Sequence, residues 1–327
     1  MKTLPDHILF AHALDGKGGS LSLTKEDQVL KKLKADILAW AHVDVNKPEA
    51  ERWLRENFDY LDDSIVEALT SSETRPRIAE VGEGFLLNLR GVNLNPGAEP
   101  EDMVSIRMYV DPHRIITTQR RPLMAVKDIV SKLESGSGPH NAADVMVALM
   151  MRLFQRMEPV ILELDEQTDT LEAQILEEPD VSVRKDIIDV RQDAIMLRRY
   201  IAPQKDIPAH LRLTDLPWIT HIHKRQFQDA QDRLTRYIED LDAIRERGQI
   251  VKDELANALA DRMNKNVYIL SLITAIFLPL GFLTGLLGIN VGGMPGADND
   301  MAFWFVCLMC LGVIALSSVV MKVLKWV

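Results

Sequence analysis

Two stretches near the C-terminus, each about twenty residues long and free of charged side chains, constrain the fold most strongly. Residues 266–287 (NVYILSLITAIFLPLGFLTGLL) and 302–321 (AFWFVCLMCLGVIALSSVVM) contain no Asp, Glu, Lys, Arg or His. Each is long enough to cross the hydrocarbon core of a bilayer as a helix. A short glycine-rich link, 288–301, separates them. The sequence therefore predicts a helical hairpin through a membrane, because two such stretches at one terminus are unusual in a soluble protein.

The charges beside these stretches predict their orientation. Arg262 and Lys265 precede the first stretch, and Lys322 and Lys325 close the second, whereas the link has no Lys or Arg. Basic flanks remain on the cytoplasmic side of a membrane. We therefore predict a multi-pass membrane protein, in contact with lipid, with both termini and most of the chain in the cytoplasm.

The overall charge restricts the class of partner. The chain carries a formal net charge of −10. Binding to nucleic acid requires a basic surface, so this class of partner is not expected. An acidic body is compatible with attracting cations, although an ordinary solvated surface explains the charge equally well.

Enzyme chemistry has no support in the sequence. No nucleophile–base pair, glycine-rich phosphate loop or recognisable metal-ligand motif is present, so we expect no catalytic residues and no cofactor. The two cysteines, Cys307 and Cys310, lie three residues apart in the second apolar stretch. Without a third ligand nearby, this pair is typical of packing rather than of a soft-metal site.

The first part of the chain has the pattern of an α/β domain, in which strand-like runs alternate with short helical ones. Asp111, Pro112 and His113 form a turn signal that predicts a hairpin between its last two strands. Predicted strands cover 37–45, 84–92, 104–110 and 114–118, and predicted helices cover 48–58 and 62–69.

Beyond a break at 135–139 (SGSGP), the apolar residues recur every three or four positions, which predicts helices. The apolar stripe of the first helix consists of Leu149, Leu153, Met157, Ile161, Leu164, Leu171 and Ile175. A second helix is predicted over 182–201.

A third helical segment carries a coiled-coil seam, whose partner is either within the subunit or in another subunit. The helix should continue into the first membrane span, so that residues 219–287 form one rod of about 100 Å at 1.5 Å per residue. The seam consists of Phe227, Ala230, Leu234, Tyr237, Leu241, Ile244, Gly248, Val251, Leu255 and Ala258.

These segments give a predicted domain organisation. In order, it comprises a cytoplasmic α/β domain (1–140), a helical stalk (141–265), the first span (266–287), an external loop (288–301), the second span (302–322) and a cytoplasmic tail (323–327).

One face of the first span is built mostly from small or polar residues. Small residues permit close packing of helices in a membrane, but they also suit a narrow aqueous path lined by oxygen atoms. Both alternatives stay open, and a path requires a symmetric ring of subunits because two spans alone cannot enclose one. The face consists of Asn264, Val267, Ser271, Thr274, Leu278, Gly281, Gly285 and Gly288.

The sequence at the end of the first span carries a family resemblance. Gly288-Ile289-Asn290 resembles the Gly-Met-Asn signature of the CorA family of divalent-metal transporters, and the preceding IFLPLGFLTGLL is similar to that family's first span. The closing Lys325-Trp326 resembles the family's basic and aromatic ending. Further segments resemble the ZntB branch, the zinc transporters: Thr74-Arg75-Pro76-Arg77, residues 82–84 (GEG) and residues 198–204 (RRYIAPQ).

This resemblance implies a funnel-shaped homopentamer in which five first spans line the pore and five second spans form an outer ring. It favours the path over simple packing for the small-residue face. It also implies that Asn290 and the backbone of Gly288 receive the hydrated cation at the outer mouth, with Asn264 at the inner end. The transported ion would be Zn²⁺, with Co²⁺, Ni²⁺ and Cd²⁺ as further candidates.

Two departures from the family pattern bear on the choice of metal. Ile289 stands where the family often has Met, a change that occurs within the ZntB pattern. The first carboxylate after the signature is Asp298, whereas several relatives have one sooner. Both features favour zinc over magnesium, although a magnesium, cobalt or nickel channel stays open.

The direction of transport follows from electrostatics. An inside-negative potential of 100 mV favours entry of a divalent ion by about 4.6 kcal/mol, since each charge contributes about 2.3 kcal/mol. The sequence has no nucleotide-binding motif, and neither span contains a carboxylate or His for a proton relay. We therefore predict uptake rather than efflux, with proton coupling restricted to groups outside the spans.

Two clusters are candidates for cation binding in the cytoplasmic part. His210, His221 and His223 flank the turn at Pro217 and suggest a regulatory metal site, although lone surface histidines are commoner. An acidic run on the first long helix suggests weak cation binding, although a solvated face is the commoner explanation. It consists of Glu163, Asp165, Glu166, Asp169 and Glu172. A membrane-anchored structural or signalling coiled coil is the alternative class of function.

Overall fold

The computed structural model describes residues 3–72, 75–177, 179–289 and 299–323. By compactness the chain divides into two units. One consists of Met1–Glu178 with Ser182–Lys252, and the other of Pro179–Val181 with Asp253–Val327.

A seven-stranded mixed sheet forms the centre of the first unit. Its strand order is β2-β1-β3-β7-β6-β5-β4, and only the β3–β7 pair is parallel. The structure confirms four predicted strands and the β6–β7 hairpin, whereas β1, β2 and β4 were not predicted. The strands are β1 (Ile8–Leu14), β2 (Ser20–Ser22), β3 (Ala39–Asp44), β4 (Arg77–Val81), β5 (Gly84–Gly91), β6 (Val104–Val110) and β7 (Arg114–Gln119).

Helices cover both faces of this sheet. The side chains of β3 alternate between the faces, so that Ala41 packs in the core beneath the first three helices and His42 lies toward the fourth. On that second face, Gly91 of β5 is so close to Leu153 that a Cβ atom would lie 2.7 Å from a leucine methyl carbon. The helices are α1 (Glu26–Lys34), α2 (Glu49–Asn57), α3 (Asp63–Thr70), α4 (Met124–Glu134) and α5 (Ala142–Gln155).

The predicted helical stripe is buried, but it is divided between two helices. Pro159 has no N–H to donate to the carbonyl of Gln155, so α5 ends at Gln155 and a turn precedes the next helix. The remaining helices are α6 (Glu158–Glu177), α7 (Val183–Ile201), α8 (Asp206–Leu213), α9 (His221–Leu287) and α10 (Ala302–Val323), with a short 3-10 turn at Ala202–Lys205.

The seam of α9 packs within a single subunit. Its positions from Phe227 to Val251 are buried. Gly248 permits close approach of α7, because a Cβ atom there would lie 2.6 Å from Cγ of Arg191. Ion pairs also join α9 to α6, among them Arg233 to Glu158 at 2.7 Å. The prediction left the partner of the seam open, and the structure identifies it as the chain's own helices.

Arg247 fixes α9 against α6 through three carboxylates. Its Nη1 donates to Asp165 Oδ1 at 2.9 Å, its Nη2 donates to Glu172 Oε2 at 2.7 Å, and it also binds Asp169. The hydrogen bonds to Glu172 and Asp169 raise the pKa of Arg247 above its ordinary value. Three of the five carboxylates in the predicted acidic run are therefore occupied by an arginine.

We expect Arg247→Ala to lower the free energy of unfolding by about 2 kcal/mol, because charge-assisted hydrogen bonds are lost and three neighbouring carboxylates are left without a cation. Arg247→Lys should lose about half as much, since it keeps the charge but not the planar fork. Denaturant unfolding of the purified protein in detergent measures the change, which salt should reduce. Arg236→Ala, at an exposed position of the same helix, is the control and should have little effect. An equal loss in both alanine variants would contradict this account.

Candidate functional site

Two helices, α9 and α10, are long and apolar enough to cross a membrane. The most apolar 18-residue windows of α9 and α10 have mean hydropathies of 2.2 and 2.5. None of either window is buried within the single chain. Their side chains are therefore available to lipid and to other subunits.

The small-residue face of the first span is continuous and exposed. All eight of its positions, from Asn264 to Gly288, are exposed in the single chain. A Cβ atom added at Gly281 or Gly285 would meet nothing within 4 Å. In the single chain, the space beside these two glycines is therefore empty.

Thr274 contributes oxygen lone pairs to this face. Its Oγ1 donates its hydrogen to the carbonyl oxygen of Leu270 at 2.8 Å. The hydrogen is therefore directed to the helix backbone, and the lone pairs of the hydroxyl oxygen are available to a cation. Farther along α9, Pro279 has no N–H to donate to the carbonyl of Ala275.

The predicted signature begins where α9 ends. The N–H of Gly288 donates to the carbonyl of Thr284 at 2.9 Å and to that of Gly285 at 3.2 Å, which closes the helix. The next residue, Ile289, is about half exposed. Asn290, the third residue of the signature, lies outside the described residues, as do Asp298 and the closing Lys325 and Trp326. Thr74 also lies outside them.

The three candidate histidines do not form one site. His223 is buried, and both of its ring nitrogens are occupied. Nδ1 accepts the Thr220 N–H at 3.1 Å, so Nε2 carries the hydrogen that it donates to Asp144 Oδ1 at 2.9 Å. His210 pairs with Glu80 at 3.1 Å instead, and His221 is exposed at the start of α9.

Within the described ranges, no three His, Cys, Asp or Glu side chains are arranged to hold a metal ion. The described residues do not bring the three predicted histidines together, because His210 Nε2 is paired with Glu80 and His223 is bound to Asp144, both far away in sequence. No local pattern in the sequence indicates either partner.

The remaining acidic side chains border a cavity between α6 and α7. Its volume is about 560 Å³, and Glu163 and Glu166 line it together with Asp186, Asp189 and Asp193. Burial, together with the charges of Glu101, Asp189 and Glu99, raises the pKa of Asp193 to about 6. The carboxylates repel one another here, so that at neutral pH the charge on Asp193 disfavours the folded state.

This pKa predicts a pH-dependent gain in stability for Asp193→Asn. The folded-state pKa of Asp193 lies above its ordinary value of 3.8, so the folded state binds more protons than the unfolded state between these pH values. The free energy of unfolding therefore falls as pH rises through this window. We expect the variant to match the native protein near pH 4 and to exceed it by about 1 kcal/mol at pH 7.5, after allowance for partial exposure.

Thermal unfolding of the purified protein across this pH range measures the effect. Asp27→Asn, at an exposed position of α1, is the matched control and should show no such pH-dependent gain. A gain of equal size at pH 4 and pH 7.5 for Asp193→Asn would exclude ionisation as its cause.

Comparisons with known proteins place these features in context. Residues 35–322 match the family described as CorA-like Mg²⁺ transporter protein. The chain is similar to the divalent cation transporter CmaX of Pseudomonas aeruginosa, with 39% identity over 98% of this chain and 96% of that one. It is also similar to the zinc transport protein ZntB of Pectobacterium atrosepticum, with 35% identity over 97% of this chain and 95% of that one.

The fold is similar to a solved structure over its whole length. The full-length CmaX protein superposes with a TM-score of 0.86 at 37% identity, and the match covers 100% of both chains. The arrangement of a mixed sheet, a long helix and two C-terminal apolar helices is therefore shared by both chains.

Proposed function

This chain belongs to the CorA-like family of divalent cation transporters, and we propose that it carries Zn²⁺ into the cell along a path lined by copies of α9. The family is one of transporters, so the chain is not an enzyme. The observation that carries the proposal is the exposed face of α9 from Asn264 to Gly288, whose small and polar residues end at the signature.

Self-association of the chain is part of this proposal. Two helices cannot enclose a path, and the glycines of the face have open space beside them in a single chain. A closed ring of identical subunits would bring the five faces together. The number five comes from the resemblance to the CorA family. The membrane would be a bacterial inner membrane, with both termini inside, in agreement with the basic flanks.

Zinc is the preferred ion because several similar proteins bear the name zinc transport protein ZntB, at 33–35% identity over 97% of the chain. Co²⁺, Ni²⁺ and Cd²⁺ are further candidates of similar charge. Magnesium is the second candidate, since the matched family is described as a Mg²⁺ transporter. Residues Gly288, Ile289 and Asn290 would select the ion at the outer mouth.

Uptake is the proposed direction, because an inside-negative potential favours entry of a divalent ion by about 4.6 kcal/mol per 100 mV. Neither apolar stretch contains a carboxylate or His that would relay protons within the membrane. A proton gradient would therefore act through groups outside the spans.

Metal-dependent fluorescence in proteoliposomes tests this proposal. Zinc, cobalt, nickel, cadmium and magnesium are compared under imposed voltage and pH gradients. We expect zinc to enter vesicles with a negative interior and entry to slow when the voltage is collapsed. Faster flux of magnesium than of zinc would favour the second candidate. Zinc moving outward against its gradient would refute uptake, and no flux of any metal would favour a structural coiled coil.

A further inference from the structure

The middle of β6 contains a buried arginine without a hydrogen-bond partner. Arg107 has 0% of its surface exposed, and none of its three guanidinium nitrogens has a partner among the described residues. A buried guanidinium is normally paired, since an unpaired buried charge is costly. Burial, together with the charges of Arg120, Arg90 and Arg77, lowers the pKa of Arg107 to about 10.

The neighbours of Arg107 across the sheet donate to other groups. Arg107 is opposite Asn88 of β5 and Thr118 of β7. The Asn88 amide nitrogen donates to the carbonyl of Arg75 at 2.9 Å, and the Thr118 hydroxyl donates to the carbonyl of Leu69 at 2.6 Å. The Asn88 Oδ1 is itself buried without a partner. The sheet thus holds several polar groups whose hydrogen-bonding capacity is unused by the described residues.

A basic cavity lies on the same face of the sheet. Ser105, two residues before Arg107 on β6, lines it, and its volume is about 250 Å³. Its charged lining consists of three arginines, Arg90, Arg120 and Arg121, and one carboxylate, Asp102, which pairs with Arg121. This excess of positive charge contrasts with the net charge of −10 of the chain.

The arginines that line the cavity are held in position. Arg120 Nη2 donates to the carbonyl of Thr70 at 2.8 Å, and Arg90 Nη1 donates to the carbonyl of Met103 at 3.2 Å. The guanidinium of Arg90 also lies 4.0 Å from the centre of the Tyr200 ring. Groups fixed in this way bind a ligand with a smaller loss of side-chain entropy.

Two sequence segments that the proposed ion path does not use, the one that ends at Arg77 and residues 198–204, each contact β5. Arg77, from the first segment, is opposite Asn88. Tyr200 and Gln204 belong to the second, and the Gln204 Oε1 accepts the backbone N–H of Arg90 at 2.7 Å. Residues distant in sequence are therefore brought together around the arginines.

We propose that this arginine cluster, Arg90, Arg107, Arg120 and Arg121, binds a small oxyanion of the phosphate class. The planar guanidinium fork matches the geometry of phosphate oxygens. The cavity has room for a phosphate group carried by a small molecule as well as for free phosphate. This binding is separate from cation transport and belongs to the sheet of the first unit.

Binding of inorganic phosphate, pyrophosphate and AMP to the full-length protein in lipid nanodiscs tests the proposal. Calorimetry and thermal unfolding are measured against sodium chloride at matched ionic strength. We expect saturable binding and a raised unfolding temperature with at least one of these probes. Preference for AMP would indicate a phosphorylated metabolite, and preference for phosphate or pyrophosphate would indicate the free ion.

Substitutions that remove either a positive or a negative charge from the cavity make the test more specific. Arg120→Gln should weaken binding about tenfold, the effect of one charge-assisted hydrogen bond, whereas Asp102→Asn should strengthen it by removing the carboxylate. Arg55→Gln, on α2, makes the same change of charge at a position that does not line the cavity and should leave binding unchanged. Arg107→Met should abolish binding, and if that variant does not fold, Arg120→Gln and Asp102→Asn decide.

Three results would overturn the proposal. They are an equal response to chloride and to every oxyanion, undiminished binding in Arg120→Gln, and undiminished binding in a folded Arg107→Met variant. In the last case Arg107 would be a structural residue that the sheet tolerates unpaired.

Discussion

We expect replacement of Asn290 by alanine to abolish the proposed zinc uptake into proteoliposomes, while the protein should still assemble and insert. Asn290 follows the end of α9 by a few residues, at the position where the family signature places an amide. A ring of amide oxygens supplies dipoles without charge, so it holds an ion that retains part of its hydration shell. Alanine removes these oxygens and leaves the backbone unchanged.

Asn299 offers a matched control in the same link. Its Oδ1 accepts the backbone N–H of Met301 at 2.9 Å, before the start of α10. Asn299→Ala therefore removes an identical side chain, at a cost of about 1 kcal/mol in helix stability, and should keep most of the flux. Normal uptake by Asn290→Ala, or equal loss in both variants, would contradict a specific role for Asn290 at the mouth.

We expect Gly285→Leu to stop the proposed zinc flux without dissociating the oligomer. Gly285 lies on the exposed small-residue face, where an added Cβ atom has open space in one chain. If copies of α9 surround an axis as proposed, the leucine side chains would enter the narrow path together and replace oxygen surface by hydrocarbon. Gly285→Ser adds a small group with an oxygen and should keep part of the flux.

The same substitution on the other apolar helix controls for a general effect on membrane helices. Gly312 of α10 also has nothing within 4 Å of an added Cβ atom, so Gly312→Leu should leave zinc flux near that of the native protein. Flux in vesicles and oligomer size by light scattering are measured together. Dissociation of the Gly285→Leu oligomer would favour close packing over a path, and unchanged flux would show that this face lines no path.

The parts of the fold that were predicted correctly have strong periodic patterns. The seam of α9, the two apolar helices and the β6–β7 hairpin are local signals that neighbouring residues determine. The strands that were not predicted have weaker periodic patterns. β1 is a nearly continuous apolar run, which periodicity alone cannot distinguish from a buried helix, and β4 is a largely exposed edge strand.

The candidate site was predicted less completely than the fold. The face of α9 follows from spacing, and its role as a path stays a prediction. The three histidines are not brought together, because His223 is bound to Asp144, 79 residues earlier in the chain. The arginine cluster around Arg107 has no counterpart in the sequence analysis. It arises from strand register, which joins residues of β5, β6 and β7, and no local pattern specifies that register fully.

The hydrogen bond from Thr274 to the carbonyl of Leu270 has a further consequence for ions of the opposite sign. An anion such as chloride requires hydrogen-bond donors to replace its water, and a threonine hydroxyl whose hydrogen is engaged has none to give. At Thr274, the proposed path would present only oxygen lone pairs to chloride and would therefore repel it. Discrimination by sign of charge can thus arise in a stretch of membrane helix that has no ionised side chain.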